Sequence, residues 1–209
     1  MNFNKHLELR GKHALLSPSQ PYWLEYTDEQ LHQKFKSAYA QDVGTSLHEL
    51  AETLISERIR LKKADITVPI VHLLRNGIPR AAVDMEYLYP NFMRYVNDAI
   101  GYRMIPEQIL YFSDECFGTA DAIAFRNNFL RIHDYKSGMT KAKMEQLLIY
   151  SALFCLEYNY KPGELNGIEL RIYQNEEVAC FEPTVEDIVP IMDKIRTSTK
   201  FTQKIKMEG

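Results

Sequence analysis

Cysteine is scarce in this chain and lacks the spacing that would make it structural. The 209 residues contain Cys116, Cys155 and Cys180, which lie far apart and form no C-x-x-C pair. An odd number of cysteines without close spacing argues against a disulfide framework and against a zinc or iron–sulfur site. We therefore expect buried free thiols and no iron–sulfur cluster.

Long apolar runs and an excess of positive charge are also missing. No stretch approaches the roughly 18 apolar residues that a membrane span needs, and the N-terminal segment has no apolar signal core. We therefore expect a cytoplasmic protein without a membrane partner. The 25 lysines and arginines are outnumbered by 28 aspartates and glutamates, giving a net charge of −3. This balance excludes a basic nucleic-acid coat, so a polyanion would have to bind at local patches.

The first half of the chain has the apolar periodicity of helices. We find no internal repeat or low-complexity linker, and we expect one domain over residues 1–209 in which residues 1–104 are mainly helical. The second long segment would begin with a capping box of Ser46 and Glu49. In the third, Pro90 must either lie in the first turn or break the helix. The predicted helices are 28–40, 46–63 and 86–101.

Short aliphatic and aromatic runs begin near Ile105 and are typical of β-strands. We expect a sheet core over 105–183 that contains a helix at 141–158, followed by a C-terminal helix and tail at 184–209. A later hairpin would turn at Asn175-Glu176. The strands predicted first are 108–112, 117–125 and 129–136. Helices, then strands around an inserted helix, then a helix indicate an α/β or α+β sandwich.

Two consecutive asparagines, Asn127 and Asn128, separate two of the predicted strands. Asparagine adopts positive φ more readily than most residues, so the pair suits a two-residue type I′ turn. If Arg126 pairs with Phe129 and no bulge intervenes, apolar pairs near the turn and polar pairs beyond them share one face of the sheet. The pairs expected there are Phe125 with Leu130, Ile123 with Ile132, Asp121 with Asp134, and Thr119 with Lys136.

The open end of this hairpin would place two aspartates opposite each other. Directly opposed like charges destabilise a strand pair, so Asp121 and Asp134 are poorly chosen as surface residues. A divalent cation such as Mg²⁺ between them would reverse that effect, and Lys136 could orient a water or neutralise a phosphate. The alternative is a surface cluster in which the lysine shields both acids. Spacing by itself leaves both interpretations open.

Four motifs, in this order, resemble the PD-(D/E)XK nuclease superfamily, and within it the RecB-type exonuclease branch of phages and recombination systems. The motifs are GTSLHELAE, GTADAIAF, HDYKSG and EQLLIY, and they extend from Gly44 to Tyr150. The resemblance implies an α/β, restriction-endonuclease-like core with a mixed central sheet flanked by helices. The chain departs from the superfamily at Ala120, which replaces the usual proline, and it lacks the cysteines that hold an iron–sulfur pin in some relatives.

The resemblance also implies roles for individual residues in the nuclease motifs. Asp121, Asp134 and Lys136 would be catalytic. The two aspartates would also be metal ligands, together with His48 and the backbone carbonyl of Tyr135. The implied cofactor is Mg²⁺ or Mn²⁺.

The helix that follows would contact the nucleic acid. Gln146 and Tyr150 match the Q-x-x-x-Y pattern of the branch and, being four residues apart, share a helical face that can line the site or hold the DNA backbone. Lys141 and Lys143 would make the cleft locally positive in an acidic protein.

The implied function is metal-dependent hydrolysis of DNA by an exonuclease acting in recombination, repair or phage DNA processing. DNA is the expected partner, joined by a recombination protein, a helicase or a single-strand-binding protein. A phage-encoded chain would act in the host cytoplasm. Two alternatives stay open: a catalytically silent module of nuclease fold that binds DNA or a partner protein, and a structure-specific endonuclease.

Overall fold

The computed structural model describes residues 5–10 and 14–208. Among these residues, three α-helices precede a sheet, one is inserted between its strands and one follows it. The elements are α1 Asp28–Ser56, α2 Thr67–Arg75, α3 Met85–Gly101, β1 Ile105–Ser113, β2 Cys116–Arg126, β3 Phe129–Tyr135, α4 Glu145–Glu157, β4 Gly167–Gln174, β5 Glu177–Phe181 and α5 Val185–Glu208. None of the helices described is both long enough and apolar enough to cross a bilayer.

The five strands form one mixed sheet whose spatial order is β1-β2-β3-β4-β5. β3 and β4 are parallel, and the other neighbouring pairs are antiparallel. A parallel pair needs a crossover connection, which α4 supplies between β3 and β4. The predicted α/β architecture with a mixed sheet flanked by helices is therefore confirmed.

The sheet separates two apolar cores. On one face, α1 and α3 bury Leu47 and Phe92 against the aromatic ring of Tyr135. On the other face, α4 and α5 bury Leu147 and Ile188 against the remaining strand side chains. Burial of apolar surface on both faces, at roughly 25 cal/mol per Å², supplies the main favourable contribution to folding.

The first long helix is continuous, which corrects the prediction of separate helices at 28–40 and 46–63. Its capping box is formed by Thr27 and Gln30 rather than by Ser46 and Glu49. Ser46 lies inside the helix, where its hydroxyl accepts a hydrogen bond of 2.7 Å from Asn76 Nδ2. Ser46 therefore links α1 to Asn76, and no helix begins at this residue.

Proline is also placed differently from the prediction, because Pro90 lies beyond the first turn of α3 and the helix continues through it. Proline has no N–H, so the carbonyl of Glu86 loses its helical partner. Burial of Tyr89 and Phe92 on either side compensates for this loss. The inserted helix begins at Glu145 rather than at residue 141, because the preceding segment is a loop.

The β2–β3 hairpin has the predicted turn and the predicted register near the turn. Asn127 and Asn128 have φ angles of 52° and 59°. The regular ladder runs from Arg126↔Phe129 to Ala122↔His133. It therefore ends one step before the predicted Asp121–Asp134 pair.

Beyond that step the backbone partners change. The amide of Tyr135 donates to Asp121 Oδ2 at 2.9 Å, and the amide of Lys136 donates to the Tyr173 carbonyl at 3.0 Å. Asp121 and the next residue, Ala122, both meet the α1 side of the sheet, so the alternation of a regular strand is broken between them. The prediction that Asp121 pairs with Asp134 and Thr119 with Lys136, on the same face as the apolar pairs, is therefore wrong at this end of the hairpin.

Close backbone packing at Gly167 gives a test of the sheet. A methyl group there would lie 2.6 Å from Cε2 of Phe129, closer than two carbon atoms approach. We expect Gly167→Ala to lower the free energy of unfolding by about 1–3 kcal/mol, measured by thermal unfolding in circular dichroism. Gly138→Ala is the control, since no atom lies within 4 Å of its added methyl. Equal melting temperatures for the two variants would contradict this packing.

A buried ion network joins β3 to β4. Glu169 lies 3.0 Å from Arg171 Nη2, 3.3 Å from Arg131 Nε and 3.6 Å from His133 Nε2. The pKa of Glu169 is lowered to about 2, first by its contact with His133 and then, against the effect of burial, by Arg171. The charged carboxylate is therefore a stabilising part of the fold.

We expect Glu169→Gln to lower the free energy of unfolding at pH 7 by on the order of 2 kcal/mol, because two arginines lose their shared partner. Since the pKa of Glu169 is depressed, this stability is present above its ordinary pKa and is lost as the pH falls towards about 2. Urea unfolding at pH 7 and pH 3 measures the free energy of unfolding of both proteins. The difference between wild type and variant should be smaller at pH 3 than at pH 7. A constant difference would contradict the assignment, and the exposed Glu164→Gln serves as the control.

Candidate metal centre

An open cleft of about 870 Å³ lies between α1 and the adjoining ends of β1, β2 and β3. Its lining contains four acids, Glu49, Glu52, Glu107 and Asp121. The basic groups in the lining are His48 and Lys136. Carboxylates predominate in the cleft, so it is suited to a cation.

Three of these side chains form a compact ligand cluster: His48 of α1, Glu107 of β1 and Asp121 of β2. Their ligand atoms all lie within 4.8 Å of one another. His48 Nδ1 is 3.6 Å from both Glu107 Oε1 and Asp121 Oδ2. Imidazole nitrogen and carboxylate oxygen are ligands for Mn²⁺, and carboxylate oxygen suits Mg²⁺.

Glu107 reaches the cluster through an unusual backbone conformation. It lies opposite Asp121 in β1, between the pairs Pro106↔Ala122 and Gln108↔Ala120, and its φ is 46°. Positive φ is unfavourable for a glutamate and persists only where the surrounding structure imposes it. The strained backbone at Glu107 therefore positions the carboxylate that joins His48 and Asp121 in the ligand cluster.

Glu107 was not among the residues predicted from sequence. Regular pairing of β1 with β2 across the turn at Asp114 and Glu115 would start at Ser113↔Cys116 and place Glu107 opposite Ala122, one residue from Asp121. The register shift between Tyr111 and Ser113 brings Glu107 opposite Asp121, so the turn gives only an approximate signal for it. Its positive φ could not be predicted, since no glycine or asparagine marks the position.

Asp134 lies beside the cluster and is almost completely buried, with 1% of its surface exposed. Lys136 Nζ is 2.9 Å from Asp134 Oδ1, but neither carboxylate oxygen has hydrogen-bond geometry with any described residue. Burial, and then the nearby charge of Asp121, raises the pKa of Asp134 to about 7. Buried oxygens without hydrogen bonds are uncommon and are consistent with an additional cation.

The other ionisable groups respond to the same surroundings. Burial lowers the pKa of His48, but the contact with Glu107 and the charge of Asp121 outweigh it, so that the pKa is raised. The pKa of Asp121 is raised by burial, although His48 and the Tyr135 amide oppose this effect. Lys136 keeps a raised pKa, because Asp134 outweighs its burial.

The structure brings most of the predicted catalytic and metal-binding residues together. His48 and Asp121 meet in the ligand cluster, whereas Asp134 lies outside its three-residue group and pairs with Lys136. Tyr135 lines the cleft, and its ring is buried. Glu107 is added to the predicted set.

The predicted nucleic-acid contacts Gln146, Tyr150, Lys141 and Lys143 are not in the lining of the cleft. Gln146 Nε2 donates to Tyr150 Oη at 3.1 Å, so the two side chains share a helical face as predicted. Tyr150 packs on Gly118, where an added Cβ would lie 3.0 Å from the tyrosine ring. Lys141 and Lys143 are exposed in the loop before α4.

Comparison with curated proteins gives no match, and comparison with solved structures gives none. A family model described as "Protein of unknown function (DUF2800)" matches residues 13–203, which is nearly the whole chain. The chain that carries this acidic cleft is therefore a member of the DUF2800 family.

Proposed function

We propose that this protein is a Mg²⁺- or Mn²⁺-dependent deoxyribonuclease with a restriction-endonuclease-like core. The observation that carries the proposal is the convergence of His48, Glu107 and Asp121 beside the buried Asp134–Lys136 pair. The ligand cluster joins α1 to the β1–β2 hairpin, which lies far from α1 in the sequence. The order of the nuclease-like motifs along the chain supports the same function.

The electrostatics of the cleft favour a bound cation over a purely structural role. Glu107 and Asp121 share one partner, His48, and Asp134 adds a third carboxylate nearby. Carboxylates at such short range repel one another, and burial strengthens the effect. A cation in the ligand cluster would relieve this repulsion.

The same acids would repel a phosphodiester in the absence of a cation. A divalent ion held by His48, Glu107 and Asp121 would offset that repulsion and offer the phosphate a positive group to bind. When bound, such an ion would polarise a phosphate oxygen and lower the pKa of a water in the cleft. DNA binding in this cleft would therefore depend on metal.

The chain's own residues would supply positioning. Asp134 fixes the ammonium of Lys136, whose side chain is 30% exposed and lines the cleft. From there Lys136 can orient an attacking water or neutralise a phosphate oxygen. Gln146 and Tyr150, held together by their hydrogen bond, would support the DNA strand at the edge of the cleft.

We propose exonuclease action, in DNA recombination, repair or phage DNA processing, on the basis of the RecB-like motifs. An end-labelled linear duplex and a covalently closed circle distinguish the modes of cleavage. Cleavage of the linear DNA alone would support an exonuclease. Cleavage of the closed circle would indicate an endonuclease.

Substitution of the catalytic lysine tests the nuclease. We expect Lys136→Met to reduce DNA cleavage in Mg²⁺ or Mn²⁺ by about a hundredfold or more, because an electrostatic contact to the reacting group is lost. The rate is measured on end-labelled DNA, with a chelator as the zero-activity reference. Lys161→Met, at an exposed lysine paired with Glu164, is the control. Cleavage by Lys136→Met at the wild-type rate would refute the proposed role.

Substitution of Glu107 tests the ligand cluster without relying on activity. We expect Glu107→Gln to weaken Mn²⁺ binding at least about tenfold in isothermal titration calorimetry, because a charged ligand is lost. Glu52→Gln removes the same charge from the same cleft but lies outside the cluster, and it should change affinity by less than about twofold.

Equal losses in Glu107→Gln and Glu52→Gln would show that only the general negative potential attracts the cation. Wild-type affinity in Glu107→Gln would remove Glu107 from the site. Mn²⁺ and DNA binding without cleavage by the wild-type protein would instead support the catalytically silent module.

A further inference from the structure

A second cavity, of about 450 Å³, lies where α3 ends beside the turn of the β2–β3 hairpin. Three arginines line it, Arg103, Arg126 and Arg131, and we call this cavity the arginine pocket. The amides of Asn127 and Asn166 also line it, and its lining contains no carboxylate. The pocket is therefore positive, in contrast to the acidic cleft.

Arg131 is held in place by stacking. Its Cζ lies 4.3 Å from the ring centre of Phe129 and 4.7 Å from that of Tyr102. Its Nε is 3.3 Å from Glu169, whereas its terminal nitrogens form no ion pair or hydrogen bond with the residues that the structure describes. A guanidinium fixed in this way can offer both terminal nitrogens to a ligand.

The neighbouring arginines lack acidic partners. Within 5–10 and 14–208, neither Arg103 nor Arg126 forms an ion pair. Arg60 also approaches, since its Nη2 lies 3.5 Å from the position that a Cβ on Gly101 would occupy. Arg103 and Arg126 are exposed, so an anion can reach both side chains from solvent.

The backbone at Arg103 offers a way to remove its charge without weakening the fold. Arg103 follows α3 with a φ of 54°, a position at which helices prefer glycine or asparagine. Arg58 occupies the equivalent position after α1, with a φ of 56°, and does not line the pocket. Asparagine is compatible with both backbones, so the two sites form a matched pair.

We propose that the arginine pocket binds a phosphate group, carried either by a nucleic-acid backbone or by a small phosphorylated molecule. The guanidinium fork matches phosphate oxygens in two parallel hydrogen bonds. Arg126 lies five residue steps from Asp121 along β2, which corresponds to roughly 17 Å at the rise of a strand. The pocket is therefore separate from the ligand cluster, and phosphate binding there would not require nuclease activity.

The test compares the double variant Arg103→Asn/Arg126→Gln with Arg58→Asn. Binding of a labelled single-stranded oligonucleotide is measured by fluorescence anisotropy in chelator, so that no cleavage occurs. Binding of inorganic phosphate and of a nucleoside monophosphate is measured by thermal shift against chloride at equal ionic strength. Thermal unfolding without ligand confirms that each variant is folded.

We expect the double variant to lose at least about tenfold in affinity for one or both kinds of ligand, with Arg58→Asn within about twofold of wild type. If the oligonucleotide binds through the pocket, the slope of log K against log salt concentration should also become shallower by about 0.7 for each phosphate contact removed. A loss of affinity for the oligonucleotide alone identifies a nucleic-acid contact. Loss for the small phosphates alone identifies a small-molecule site, and loss for both identifies a general phosphate site.

Wild-type binding of both ligand classes by the double variant would overturn the proposal. An equal loss in Arg58→Asn would overturn it as well, because it would show dependence on net charge rather than on the pocket. Neither result would affect the metal-binding or cleavage assays, which address the other end of the hairpin.

Discussion

Carboxylate repulsion around Asp121 is the constraint on which the structure of the cleft depends. Asp121 accepts the Tyr135 amide, contacts His48 and lies opposite Glu107. None of these partners is a permanent cation, and Lys136 is paired with Asp134 instead. The fold thus gathers negative charge that its own basic side chains only partly neutralise, and a divalent cation would complete the balance.

This arrangement requires irregular strands and a long first helix. In an unbroken ladder, Asp121 would share a face with Ile123 and Phe125, which pack in the α4–α5 core. The break between Asp121 and Ala122 turns the Asp121 carboxylate towards α1, and Glu107 on the neighbouring strand has a positive φ at the same level. Irregularities of this kind commonly occur where a strand positions a functional side chain. Two separate helices, as predicted from the spacing alone, would hold the imidazole of α1 less firmly against these strands.

Local signals in the sequence were sufficient for the α/β architecture, the Asn127-Asn128 turn and the register next to it. They were insufficient where tertiary contacts dominate. Ser46 has the spacing of a cap but bonds to Asn76, and Pro90 is tolerated because the helix around it is packed into the core. For the site, His48 and Asp121 follow from motifs, whereas Glu107 depends on the pairing of a strand whose distortion has no sequence signature.

The β2–β3 hairpin connects two regions of opposite charge. Its open end belongs to the acidic cleft, and its turn end borders the arginine pocket. Because charges separated by more than a Debye length of about 8–10 Å are largely screened, neither region neutralises the other through solvent. The proposed cation at one end and the proposed phosphate at the other would therefore each balance their own region locally. A net charge of −3 conceals this division, so the overall charge of the chain is a poor guide to what it binds.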